Sequence, residues 1–329
     1  MQGQQIALVL GATGGVGGSI AAALLARGWR VRGLARDTQN ARRTGPAGVD
    51  WRQGDAMVRG DVLRAAEGVG VIVHAVNPPG YRNWAGLVLP MIDNTIAAAR
   101  AAGGALVVLP GTIYNFDPAK TPCITEDSPQ HPKSRKGLIR VALEQRLRDA
   151  APEVPALILR AGDFFGPGAR SSWFSQAMVA PGKPLRRIIN PSRGPGHSWA
   201  YLPDLAEAFA RLIDRRADLR PFEVVQFEGH YDADGGQMIA ALRRAAGRKL
   251  PVHALPWWLF ALAAPFGGFA REAAEIAPYW RHPMKLDNSR LRALLGEEPA
   301  TPLDQAVRNA LAALGCLEGS AVQRAALAQ

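Results

Sequence analysis

Lys136 and Arg140, within HPKSRKGLIRVALEQ at residues 131–145, stand four residues apart. On a helix that spacing is one turn, so an ammonium and a guanidinium could act at one place. The ammonium could donate a proton, because its ordinary pKa of about 10.4 falls toward neutrality beside another cation and away from water. The pair could equally bind an anionic substrate or coenzyme phosphates, or form a basic face on a protein without turnover. Thr112 and Tyr114 in VVLPGTIYN are hydroxyls able to hold a substrate carbonyl, and His197 and Trp199 in GHSWA read as residues facing a substrate. GHSWA resembles a hydrolase nucleophile elbow, but it lacks a buried strand before it and a helix after it, which argues against hydrolysis.

A second constellation is LVLGATGGVGGSI, where Gly11, Gly14 and Gly17 recur every three residues between an apolar strand and a helix. Gly11 allows the tight turn, Gly14 lets the backbone approach a diphosphate, and Gly17 lets the helix lie close to the strand. Thr13, Gly14, Gly15, Val16 and Gly17 would then surround the phosphates at the positive end of the helix. The second strand ends in Leu34-Ala35-Arg36-Asp37. Room at Ala35 and a guanidinium at Arg36 favour the 2′-phosphate of NADP over NAD, the alternative being a solvated Arg36 with Asp37 on the ribose.

These residues need a frame, and strands alternate with helices through the first half. QIALVLGA (Gln5–Ala12), WRVRGLAR, VGVIVHAV (Val69–Val76), ALVVLPG and PALILRAGD (Pro155–Asp163) read as strands, with helices between them. Ser134 is the expected N-cap of the helix carrying Lys136 and Arg140. Its apolar face would be Ile139, Ala142, Leu143, Leu147 and Ala150, with the basic pair alongside. The fold class is α/β: a doubly wound parallel Rossmann sheet covered by helices on both faces, with a smaller, mostly helical C-terminal lobe. The dinucleotide-binding domain is expected over 1–165, with 197–228 returning to it. A substrate lobe would take 166–196 and 229–318, and a tail 319–329.

Composition narrows the partners. The 329 residues include 39 Lys and Arg against 28 Asp and Glu, a net charge of +11. Arg42-Arg43, Arg186-Arg187, Arg215-Arg216 and Arg243-Arg244 are scattered doublets, so the excess favours acidic small molecules over nucleic acid. Cys123 and Cys316 lie far apart and the six histidines are dispersed, so no metal site is expected. LPWWLFALAAPFGGFA (Leu255–Ala270) is apolar but too short for a membrane span, leaving packing in the lobe, against a second subunit, or on a membrane surface. With an apolar strand starting right after Gln5, the expected compartment is the cytoplasm.

The stretches GATGGVG, QGDAMVRGDVLRAAEGVGVIVHAV, ITEDSPQHP, LILRAGDFFGPG, YLPDLAEAF and LLGEEPATPLDQAVRNAL resemble the extended or atypical short-chain dehydrogenase/reductases of the NAD-dependent epimerase/dehydratase group. The resemblance implies that Asp55 and Ala56 contact the adenine and that Ala75, Val76 and Asn77 line the coenzyme. It also implies Asp163 and Phe164 near the nicotinamide, Tyr201 to Asp204 bracing the lobe, and dimerisation through a two-helix face. The group relies on a tyrosine with a lysine four residues on. Counting from Glu144 puts Lys136 and Arg140 at those two places, and no tyrosine occurs in 131–145. The expected protein is therefore an NADP(H)-binding oxidoreductase or epimerase-like enzyme with an altered site, or a nucleotide-binding sensor without turnover.

Overall fold

The apolar run Ile6–Leu10 and the glycine turn after it set the chain's first βα unit, and the pattern then repeats. A computed structural model describes residues 5–78, 84–192 and 194–317, so the expected tail at 319–329 lies outside the described residues. The first half runs β1 (Ile6–Leu10), α1 (Gly15–Ala26), β2 (Arg30–Ala35), α2 (Thr38–Thr44) and β3 (Asp50–Gln53). It continues through α3 (Arg59–Ala65), β4 (Val71–His74), α4 (Trp84–Ala101) and β5 (Leu106–Gly111). Next come β6 (Cys123–Ile124), α5 (Arg135–Ala150), β7 (Ala156–Arg160), β8 (Asp163–Phe165), β9 (Ile188–Asn190) and β10 (His197–Tyr201). After these follow α6 (Leu202–Asp214), β11 (Phe222–Gln226), β12 (His230–Asp232), α7 (Gln237–Ala246) and β13 (Val252–Ala254). The last elements are α8 (Trp257–Ala263), α9 (Gly268–Ile276), β14 (Lys285–Leu286), α10 (Ser289–Leu295) and α11 (Leu303–Ala313).

The main sheet has seven parallel strands in the order β3-β2-β1-β4-β5-β7-β11. Strands β1, β4 and β7 are buried at every position, as strands covered on both faces must be, which is why they read as unbroken apolar runs. One face packs Ile20 and Leu24 of α1 with Leu205, Phe209 and Leu212 of α6. The other packs Val62 of α3, Ile92 and Ile96 of α4, and Leu143 and Leu147 of α5. The strand order reverses between β1 and β4, and the crevice at their carboxyl ends is where such sheets take ligands.

β11 pairs in parallel with β7 at the edge of the main sheet. His197–Ala200 of GHSWA belong to β10, buried along its whole length between β8 and β12, and α6 follows directly, where the sequence reading has no helix after GHSWA. The three strands of this sheet, β8, β10 and β12, come from separate segments paired in space, which local spacing does not encode. The lobe's core gathers Phe165, Phe174, Trp199, Met238, Trp257 and Trp280.

Helix α5 is fixed to the sheet by charge as well as apolar contact. Ser134 caps it, its hydroxyl accepting the Gly137 N–H at 2.9 Å. Further along, Glu144 and Arg160 of β7 form a buried ion pair, and Glu144 also accepts from Gln130 at 2.8 Å. Removing one partner strands the other charge without water. Glu144→Ala is expected to lower unfolding free energy by about 3–5 kcal/mol in a denaturant titration, whereas a Glu144→Met, Arg160→Met double variant is expected to lose much less.

Candidate functional site

The crevice begins at the glycine turn. Gly11 has φ 86°, and a Cβ there would lie 2.5 Å from the Ala75 carbonyl oxygen; one on Gly17 would lie 2.4 Å from the Gly11 oxygen. Turn and helix are thus pressed against β4 with no space for a side chain. Gly14 differs: it and Thr13 are exposed, and no side chain caps α1 where it begins after Gly14. An uncapped helix start presenting bare backbone fits a diphosphate, through its N–H groups and the positive helix end. Gly15 and Val16 form the first helical turn and are half-buried.

At the end of β2, Arg36 is exposed and makes no ion pair among the described residues. Asp37 is occupied as the cap of α2, accepting the Asn40 N–H at 2.9 Å. Beyond β3, Asp55 is half-buried and accepts the Met57 N–H at 2.9 Å, while the buried Ala56 offers its carbonyl to Asn94 at 2.9 Å. Ala75 and Val76 continue β4 as half-buried residues and lead to Asn77, which is exposed.

Asn77 opens onto a cavity of about 170 Å³ at the carboxyl ends of β4, β5 and β7. Of the expected site residues it gathers Asn77, Thr112, Tyr114, Arg140, Asp163 and Phe164. Trp84, Ser172 and Trp173 also line it and were not read from the sequence. Trp173 lies in RSSWFSQ, where an aromatic among small polar residues is the available signal. Arg140 lies 3.4 Å from the Asn77 Oδ1 and stacks 5.0 Å from the Trp84 ring. Thr112 accepts the Tyr114 N–H at 3.2 Å, and the Tyr114 ring meets Tyr279 edge-on at 5.1 Å. Burial pushes the Tyr279 phenol up to about 12, so it stays a donor, giving its proton to the Tyr114 and Phe116 carbonyls.

The expected Lys136–Arg140 pair is split by the structure. Lys136 does not line the cavity. Its side chain, 3% exposed, binds Glu272 and Glu275 of α9, the latter at 2.8 Å, and its backbone N–H donates to Glu275 at 2.9 Å. Two carboxylates surrounding the ammonium make it a tie between α5 and the lobe, and Arg140 is the member of the pair that reaches the cavity. Those acids lie 136 and 139 residues away, beyond any local pattern.

Asp163 faces the cavity and is held from behind by His197, whose Nε2 lies 2.8 Å from its Oδ2. His197 is buried and stacks on Trp280 with ring centroids 3.9 Å apart. Trp199 packs in the lobe core against Phe165 and Phe174 and does not line the cavity. Among the described residues no group of acids, histidines and cysteines is arranged to hold a metal ion, and no helix is long and apolar enough to cross a membrane.

His74, at the end of β4, is buried next to this site. Thr95 gives its hydroxyl proton to the Met91 carbonyl and so accepts from His74 Nδ1–H at 2.8 Å. Burial, reinforced by the Arg140 charge, pushes the His74 pKa down to about 3. The folded state therefore holds a neutral imidazole while the unfolded chain protonates below its ordinary value of about 6.5. Stability is complete above that value and is lost as pH falls toward 3, at up to about 1.4 kcal/mol per pH unit. Urea titrations between pH 7 and 4 are expected to show that slope in the wild type and a shallower one in His74→Asn.

A model of the NAD dependent epimerase/dehydratase family matches residues 7–226. The 3-diazoavenalumate denitrifying reductase of a Streptomyces species is 27% identical over 304 residues, covering 84% of this chain and 96% of that protein. UDP-glucuronic acid 4-epimerase from Bacillus cereus, in complex with NAD, superposes with a TM-score of 0.73 at 17% identity, over 94% of this chain and 99% of that one. The NAD complex of Thermus thermophilus UDP-glucose 4-epimerase gives 0.69 at 20% identity, over 94% and 99%. At such identities the structural likeness speaks for the fold.

Proposed function

The chain belongs to the NAD dependent epimerase/dehydratase family, and we propose that it is a nicotinamide-dependent reductase of a small substrate bearing a carboxylate and an electron-poor, cationic group. The observation that carries this reading is a guanidinium, Arg140, and a carboxylate, Asp163, in the wall of one cavity with four aromatic lining residues at the carboxyl ends of β4, β5 and β7. The coenzyme supplies the hydride. In this reading Gly11 and Thr13 to Gly17 bind the diphosphate, Asp55 and Ala56 border the adenine, and Ala75, Val76, Asn77 and Phe164 flank the nicotinamide half. Arg36 favours NADP, since an exposed guanidinium suits a 2′-phosphate and Asp37 is engaged as a helix cap.

Arg140 receives the substrate carboxylate, with Trp84 and Trp173 beside a flat body and Thr112 or Tyr114 at its polar edge. Asp163, oriented by His197, meets the cationic end. No tyrosine in 131–145 is at hand to deliver a proton, which suits an acceptor that needs none. A carbon bearing a diazonium group is one: it gains the hydride as its C–N bond breaks, and the bonding pair leaves with dinitrogen. The Streptomyces relative supports this choice, its name describing a reductase that removes nitrogen from a diazo acid.

The test uses NADPH deuterated at C4 and an aromatic carboxylate carrying a diazonium group. Coenzyme oxidation with deuterium on the former C–N carbon is the expected result. Tight coenzyme binding with no oxidation across diazonium and carbonyl panels would make the protein a sensor instead. Arg140→Ala is expected to raise KM for the acid about 10- to 100-fold, as loss of a charged hydrogen bond does, while barely affecting the methyl ester.

Coenzyme choice has its own check by fluorescence titration. Arg36→Ala is expected to weaken NADPH binding about tenfold and to leave NADH nearly unchanged.

A further inference from the structure

Five of the eight large hydrophobic side chains that are exposed among the described residues fall within twelve positions of one hairpin. Trp258, Leu259 and Leu262 lie on α8, Phe266 (91% exposed) is at the turn, and Phe269 is on α9. Residues 258, 262 and 266 repeat every four positions, so they form one stripe. The hairpin itself is anchored. Trp257 is fully buried and donates its indole N–H to the Pro191 carbonyl at 2.8 Å, and Phe260 packs on both Trp257 and Phe269. A rigid base thus holds an apolar ridge out in water, which soluble surfaces rarely do without a partner.

The charges around the ridge identify that partner. Residues 255–270 contain no ionisable side chain. Immediately before α8, β13 pairs in parallel with β9, Val252 beside Ile188, which brings the exposed Arg186 and Arg187 alongside the exposed Arg248 and Lys249. Arg271 is exposed just past Phe269, whereas the nearby acids Glu272 and Glu275 are turned inward onto Lys136. A second copy meeting this face by twofold symmetry would bring equal sets of cations together, at an electrostatic cost. A surface of anionic lipid headgroups complements both the apolar ridge and its cationic flank, and the whole chain carries +11.

We propose that the α8–α9 hairpin is a docking surface for an anionic membrane, with Phe266 and Leu262 entering the interface and the arginines and Lys249 against the headgroups. The docked face also borders the cavity, since the Phe269 ring lies 6.4 Å from Trp173 in its wall. Docking in this way is independent of the reaction proposed above.

The test is co-sedimentation of the full chain with vesicles of phosphatidylcholine containing about one third phosphatidylglycerol, and with pure phosphatidylcholine. Binding to the anionic vesicles, weakened by salt, is the expected result. Leu262→Ser and Phe266→Ser should each reduce partitioning on the order of tenfold while leaving coenzyme binding and thermal unfolding as in the wild type. Equal binding by the variants, or no preference for the anionic vesicles, would overturn the proposal. So would a wild-type dimer in light scattering that Phe266→Ser turns into a monomer, which would assign the ridge to a second copy.

Discussion

Three charged residues on one stripe of α5 set the geometry of everything at the carboxyl edge of the sheet. Lys136, Arg140 and Glu144 are four residues apart in turn, so a single helical face carries them. The outer two are buried and neutralised, Lys136 by Glu272 and Glu275 of the lobe, Glu144 by Arg160 of the sheet. Desolvated charges with one geometry each leave the helix no freedom to rotate or slide. Arg140, between them, is thereby held over the crevice with its guanidinium against Asn77 and Trp84. The same ties join α9 to α5, so the lobe and the sheet meet the cavity in a fixed relation.

This arrangement accounts for how a cavity can keep a cation without a basic residue titrating beside it. Arginine stays charged under all ordinary conditions, and His74 beneath it is kept neutral by burial and by that charge. Asp163 supplies the opposite sign across the wall, and its orientation comes from His197, itself clamped against Trp280. The charged groups are few, and Trp84, Tyr114, Phe164 and Trp173 supply aromatic surface around them. Such a site discriminates by where charge lies on a small ligand more than by how many hydrogen bonds it offers.

Much of the frame was legible because it is local. The glycine turn, the apolar strands and the Ser134 cap are written in residues a few positions apart, and the structure has them at those places. The burial of β1, β4 and β7 on both faces follows from the same runs. What local reading missed depends on partners far along the chain. Lys136 looked like half of a catalytic pair because Glu272 and Glu275 are not near it in sequence. GHSWA does not show itself as a strand because the strands that flank it come from 163–165 and 230–232. Trp84 and Trp173 joined the wall only once α4 and the lobe were folded over the crevice.

The two members of the basic pair meet different partners for a reason that lies in the packing of α5. A tyrosine and a lysine one turn apart act together because both reach the reacting atoms. Here Gly137 lets α5 approach the 112–116 segment so closely that a Cβ on it would lie 2.2 Å from the Tyr114 oxygen. In that position Lys136 is turned to α9, and the space beside the cavity is filled by the Tyr114 and Tyr279 rings. A tyrosine placed at 136 would therefore remove the counter-charge of two lobe acids without bringing its phenol to the cavity. In the reaction proposed above, the protein's part is orientation and charge, by a guanidinium and a carboxylate, around a hydride acceptor that carries its own driving force.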